Sequence, residues 1–201
     1  RSPIASIRAQ LEVALDHPDG VDWAETARDV HADTLRLARL TEDLLLLARL
    51  DGQHLRRTPT DLAAVCESVA ARYATARVPV RAEAPGPCVV AGDAEALARL
   101  LVNLLDNAVR HAASRVCVSV RDDGGWAVLT VTDDGPGIPA EDAERAFGRF
   151  ARLDQARDRS GEEGAGLGLA IVRSTAEAHG GSARLGDARP GLRATVRLPL
   201  S

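Results

Sequence analysis

Apolar residues recur at helical intervals over residues 3–16, where Ile4, Ile7, Leu11 and Leu15 share a face, so the spacing predicts an amphipathic helix. Pro3 fits its first turn, where a missing N–H costs little. His17-Pro18-Asp19-Gly20 then reads as a turn. A second helix is predicted from about Asp22 to Asp51, in which Trp23, Ala27, Val30, Thr34, Leu37, Thr41, Leu44 and Ala48 alternate in steps of four and three. That heptad seam is longer than one globular face needs. Two helices joined by a short turn make an antiparallel hairpin that cannot bury both faces alone. Pairing with a second copy into a dimeric four-helix bundle is the expected completion.

The period changes after residues 1–52. Residues 53–60, with Arg56-Arg57 and Pro59, read as a linker, and residues 61–201 as a mixed α/β domain, so the class is α+β. Asp61 is placed to cap a helix through about Ala74, and Asp93 a longer one to about His111. Short strands are expected near 78–83 and 87–90. Arg115–Arg121 and Trp126–Thr132 alternate with period two around Asp122-Asp123-Gly124-Gly125, a hairpin signal. A short helix near 140–146, a polar stretch at 151–163, a helix near 167–179 and strands near 182–187 and 192–198 complete the order.

Composition narrows the chemistry. With 45% hydrophobic and 27% charged residues, the 201-residue chain reads as folded rather than disordered. A net charge of −4 argues against a nucleic-acid partner. All 25 basic residues are arginine, so a P-loop, which needs a lysine on the phosphates, is excluded together with Schiff-base chemistry. Cys66, Cys88 and Cys117 lie far apart, with no C-x-x-C pair, and read as free thiols of a reducing compartment. No apolar run is long enough to span a bilayer, so no membrane contact is expected within these residues. The chain opens without Met inside a predicted helix, and reads as part of something longer.

Three short patterns carry candidate chemistry. The only two asparagines, Asn103 and Asn107, are four apart in the apolar run LLVNLLDNAV, on one face of the long helix. Buried carboxamides need partners, either a ligand or metal or the nearby backbone. Asp133-Asp134-Gly135-Pro136-Gly137-Ile138 follows directly on a strand. It is either a turn or a carboxylate set to accept from an exocyclic amine, with glycines letting a planar ring approach. Gly164-Ala165-Gly166-Leu167-Gly168-Leu169 opens a helix, where free backbone N–H groups and the helix dipole suit phosphate. The charged stretch before it reads as a mobile flap, which argues against a dinucleotide-binding βαβ turn.

In order and spacing, the Asn-x-x-x-Asn helix, the D-x-G-x-G loop, Phe147-Gly148-Arg149-Phe150 and the G-x-G-L-G-L segment resemble the N, G1, F and G2 boxes of bacterial two-component sensor histidine kinases. The opening RSPIASIRAQLEVAL resembles the segment that follows their phosphoacceptor histidine. The resemblance implies a helical hairpin followed by an α/β-sandwich ATP-binding domain of the histidine kinase (GHKL) type. It implies Mg²⁺ and ATP as cofactors. It places Asn103 and Asn107 on Mg²⁺ and the phosphates with Arg110 and His111 near them, and Asp133 on the adenine amine with Gly135 and Gly137 shaping the pocket. Phe147 and Phe150 would anchor the flap, Arg152 would approach the γ-phosphate, and Gly164, Gly166, Leu167 and Gly168 would hinge it and meet the phosphates. Asp134 stands where Asn is more usual, with no loss of function expected.

The implied acceptor histidine falls just before Arg1, so these residues alone are expected to bind Mg·ATP without phosphorylating themselves at the normal site. His17, His31, His54, His111 and His179 lack the acceptor's context, and Ser2 falls at a position linked to phosphatase action in relatives. The expected partners are a second copy and a response-regulator receiver domain. The expected place is the cytoplasmic side of a membrane sensor. Two alternatives share the nucleotide fold. Gyrase- and Hsp90-type ATPases carry a glutamate base where this chain has Asn103, and an anti-sigma-factor serine kinase would not need the heptad hairpin.

Overall fold

The structure, a computed structural model, describes residues 3–52, 55–151 and 166–201. It comprises two compact units, Arg1–Leu45 and Leu46–Ser201.

Helix α1 (Pro3–Asp16), a single 3-10 turn (Pro18–Gly20) and helix α2 (Trp23–Asp51) form the N-terminal hairpin, with the last turns of α2 counted in the second unit. Asp22 caps α2, its Oδ1 accepting the N–H groups of Ala24 at 2.9 Å and Glu25 at 3.1 Å. Ala14 of α1 is buried, and Val13 and Ala14 line a shared groove with Val21, Glu25 and Thr26. Of the predicted seam, Val30 and Leu37 are half-buried, while Trp23 and Leu44 remain 46% and 45% exposed. One hairpin therefore leaves much of its heptad apolar surface in water.

The second unit layers three helices on one face of a five-stranded mixed sheet. Its elements are β1 (Thr58–Asp61), α3 (Leu62–Ala71), β2 (Val80–Glu83), β3 (Val89–Gly92), α4 (Ala94–His111), β4 (Val116–Asp122), β5 (Trp126–Asp133), α5 (Gly168–Ala178), β6 (Ser182–Asp187) and β7 (Leu192–Pro199). The strand order is β2-β4-β5-β7-β6, with β2 parallel to β4 and the other pairs antiparallel. Val116, Val118 and Val120 of β4 and Ala127, Leu129 and Val131 of β5 point inward, joining Leu97, Leu100, Leu101, Leu104 and Leu105 of α4 in the core. Period two on the strands thus meets period 3.6 on α4.

Several local signals act as expected. Asp93 Oδ1 caps α4 by accepting from Glu95 and Ala96. Asp61 Oδ1 accepts from Ala63 at the start of α3 and also from Cys88, both at 3.0 Å, so one carboxylate caps a helix and fixes the approach to β3. Gly124 (φ +61°) and Gly125 (φ +87°) take the left-handed conformations that the β4–β5 turn needs. Burial pushes the Cys66 thiol up to about 11 and Cys88 upward as well, in line with inert interior thiols.

Two elements differ from expectation. Thr58–Asp61, read as linker in its first three residues, is a strand in a separate antiparallel pair with β3, Thr58 facing Gly92 and Asp61 facing Val89. Pro59 is tolerated because a two-stranded ribbon leaves it an outer edge. The helix expected near 140–146 is instead two 3-10 turns, Ala140–Asp142 and Arg145–Phe147. No helix among the described residues is long and apolar enough to cross a membrane.

Candidate functional site

Helix α4 turns its leucines to the sheet, which carries Asn103 and Asn107 onto a half-buried flank. The carboxamide of Asn103 lies against the first residue of α5: a Cβ added to Gly168 would stand 3.2 Å from Oδ1. Nδ2 of Asn103 is buried and has no hydrogen-bond partner among the described residues. A buried N–H donor left without a partner beside a helix N-terminus marks a candidate ligand contact.

Two turns further along α4, about 12 Å by helical rise, His111 meets the loop after β5. Asp133 closes β5 at 5% exposure, and its Oδ1 accepts the N–H groups of Gly135 at 2.9 Å and Leu192 at 3.3 Å. The described residues give its Oδ2 no donor. Burial pushes the Asp133 carboxyl up, while the two backbone N–H groups and His111 pull it back. His111 is pushed down, by burial first and then by Arg110, against the pull of Asp133, so its imidazole is held neutral.

Glycine is required where backbones converge. A Cβ on Gly135 would overlap the carbonyl oxygen of His111, and one on Gly191 (φ +106°) would overlap the carbonyl of Asp133. Gly137 (φ +69°) packs on the Gly191 carbonyl. Asp134 points the other way. It accepts from the backbone N–H groups of Ala113, Ser114 and Arg115 and from the Ser114 hydroxyl, ties the loop to the end of α4, and is held well below the usual carboxylate range, chiefly by Ser114. A fully ionised carboxylate thus serves at the position where asparagine is more usual.

Phe147 is buried beneath the Arg173 guanidinium, 4.0 Å from its ring centre, and Arg173 also pairs with Glu144 at 2.8 Å. Phe150 does not join it. Phe150 is 63% exposed in left-handed backbone (φ +61°) and packs its main chain against Gly166 (φ +71°). Leu167 is buried at the start of α5, and Arg110 is exposed in the last turn of α4. Ser2, His54, Arg152 and Gly164 lie outside the described residues.

The structure thus brings Asn103 to Gly168 near the middle of α4, and His111, Asp133, Gly135 and Gly137 together at its C-terminal end. Sequence reasoning missed Gly191 and Leu192, which complete the Asp133 cradle from the start of β7, and Arg173, which covers Phe147. Gly191 follows Pro190 in what reads as an ordinary turn, so its only cue was a glycine immediately before a strand.

Residues 92–201 match the family described as Histidine kinase-, DNA gyrase B-, and HSP90-like ATPase, and residues 1–53 match the His Kinase A (phospho-acceptor) domain. The chain is 40% identical, over its whole length, to the probable sensor histidine kinase TcrY of Mycobacterium tuberculosis, of which it spans 43%. Over 98% of its length it is 39% identical to the sensor protein IrlS of Burkholderia pseudomallei, of which it spans 44%. It therefore covers less than half of either relative. Among solved structures, the ATP binding domain of PrrB from Mycobacterium tuberculosis matches 73% of this chain and 98% of that one, with a TM-score of 0.61 and 26% identity. A helical hairpin followed by an ATP-binding sandwich, each matched in order, shows that the chain belongs to the bacterial two-component sensor histidine kinases.

Proposed function

We propose that the flank of α4 carrying Asn103 and Asn107, together with Asp133, binds Mg·ATP, and that in the whole protein the γ-phosphate passes to an imidazole on the hairpin and then to an aspartate of a response-regulator receiver domain. The observation that carries the reading is the buried Nδ2 of Asn103, without a partner among the described residues and set against the α5 N-terminus, on the same helix whose C-terminal end meets the buried carboxylate of Asp133. Asp133 Oδ2 accepts the adenine amine, while Gly135, Gly137 and Gly191 let the backbones around that carboxylate converge. Backbone N–H groups from Gly166 to Gly168 face the phosphates, aided by the α5 dipole.

The donor set fits magnesium, which prefers a few protein oxygens plus phosphate to an all-protein cage. Asn103 and Asn107 would hold it through their side-chain oxygens, and no cluster of His, Cys, Asp and Glu with metal-binding geometry competes among the described residues. When bound, the ion neutralises phosphate charge during transfer. Asn103 cannot take a proton, so it orients the nucleotide without activating water, which favours transfer over hydrolysis. The hairpin's exposed heptad residues support a homodimer, and the relatives' designation as sensors supports a parent anchored at the membrane with this portion in the cytoplasm.

Calorimetric titration with a non-hydrolysable ATP analogue and Mg²⁺ should give one site per chain, lost in Asp133→Ala and weakened in Asn107→Ala. Analogue binding untouched by either change, or rapid steady ATP hydrolysis, would refute the assignment.

A further inference from the structure

The sheet has a second face, turned away from α3, α4 and α5. Strand register decides which side chains share it. Arg81 neighbours Cys117, Thr132 neighbours Arg193, Thr195 lies between Thr130 and Arg184, and Val128 lies between Arg121 and Arg197. Five exposed arginines therefore stand on this face with a single carboxylate, Glu83, in a chain whose net charge is −4. Between Arg121 and Arg193 the hydroxyls of Ser119, Thr130, Thr132 and Thr195 line a groove of about 470 Å³. The sandwich thus has one oily face and one cationic, hydroxyl-rich face.

We propose that this outer face docks an acidic polypeptide segment laid in extended form along the groove. Arg193 is in register with Thr132 and Arg121 with Val128, so their Cα positions are offset by four residues, about 13 Å, along β5. An extended peptide repeats its same-side residues at half that interval, so two same-side carboxylates four positions apart reach both guanidinium groups. The threonine and serine hydroxyls between them both donate and accept, which suits a peptide main chain. A bilayer is the poorer occupant: the groove is concave, and its one apolar member, Val128, is 4% exposed, leaving nothing to insert. Nucleic acid is poorer too, because the face's one aromatic residue, Trp126, is already covered by Arg197 at 5.4 Å. The proposed nucleotide site lies on the helix side of the sheet, so this inference goes beyond the proposed function and does not depend on it.

The test is fluorescence anisotropy with a labelled peptide of alternating glutamate and threonine. Saturable binding is expected that weakens as salt rises. Arg121→Glu with Arg193→Glu should weaken it about tenfold or more, while the urea midpoint, which reports folding, stays unchanged. Arg121→Gln with Arg193→Gln, which removes charge without reversing it, should weaken it in the same direction by less. Absent binding, equal binding by both double variants, or capture of phosphatidylglycerol vesicles or single-stranded oligonucleotide in preference to the peptide would overturn the proposal.

Discussion

His179 uses both ring nitrogens inside the fold: Nε2 accepts the N–H of Asp93 at 3.0 Å and Nδ1 donates to the Thr175 carbonyl at 2.7 Å. Only a neutral imidazole does both. Burial pushes its pKa down, the Thr175 bond and Asp93 pull it up, and Arg57, which also bonds the Ala178 carbonyl, pushes it down. A folded-state value below the free imidazole's 6.5 means that stability is complete above that pH. It declines as pH falls from there toward the folded-state pKa. Urea unfolding measured across that window should show a falling free energy, with a shallower slope in His179→Asn. His111, pushed down by its own burial, supplies part of the slope that remains. A slope identical in the variant would assign the effect elsewhere.

Among the elements, α5 reaches over the 3-10 turn Arg145–Phe147 with Arg173, which covers Phe147 and pairs with Glu144 just before the turn. Arg173→Ala is expected to cost about 1 kcal/mol, mostly through the uncovered ring. Glu144→Ala should cost little, because the Glu144 side chain is 78% exposed. Denaturant midpoints of the two variants separate the contributions. Elements defined by a local rule were legible beforehand: α4 from its Asp93 cap and leucine period, and β4–β5 from alternation around Asp122-Asp123-Gly124-Gly125. Those defined by a distant partner were not. β1 is four residues with a proline, and only the pairing with β3 makes it a strand. The site divides the same way. Asn103, Asp133 and Gly135 announced themselves by residue type, whereas Leu192 contributes a backbone N–H that any residue but proline carries. Phe150 matched a motif, yet its side chain points to solvent, a consequence of left-handed backbone that residue type does not encode.

At the level of the whole molecule, the two compact units differ in what completes them. The hairpin leaves Leu44, Leu45 and Trp23 substantially exposed, so a second copy is the natural source of its stability, whereas the α/β unit encloses its own core. Scanning calorimetry should therefore resolve a hairpin transition whose midpoint rises with protein concentration and falls in Leu44→Asp. A second transition should ignore concentration and rise with Mg²⁺ and ATP analogue. One concentration-dependent transition for the whole chain would contradict this division. The two tryptophans are distributed one to each unit, Trp23 half out in water on α2 and Trp126 under a guanidinium on the sheet. Intrinsic emission therefore has two separable sources. Trp23→Phe leaves a spectrum that reports only the sheet, and Trp126→Phe leaves one whose blue shift on concentration reads out subunit association, without any added dye.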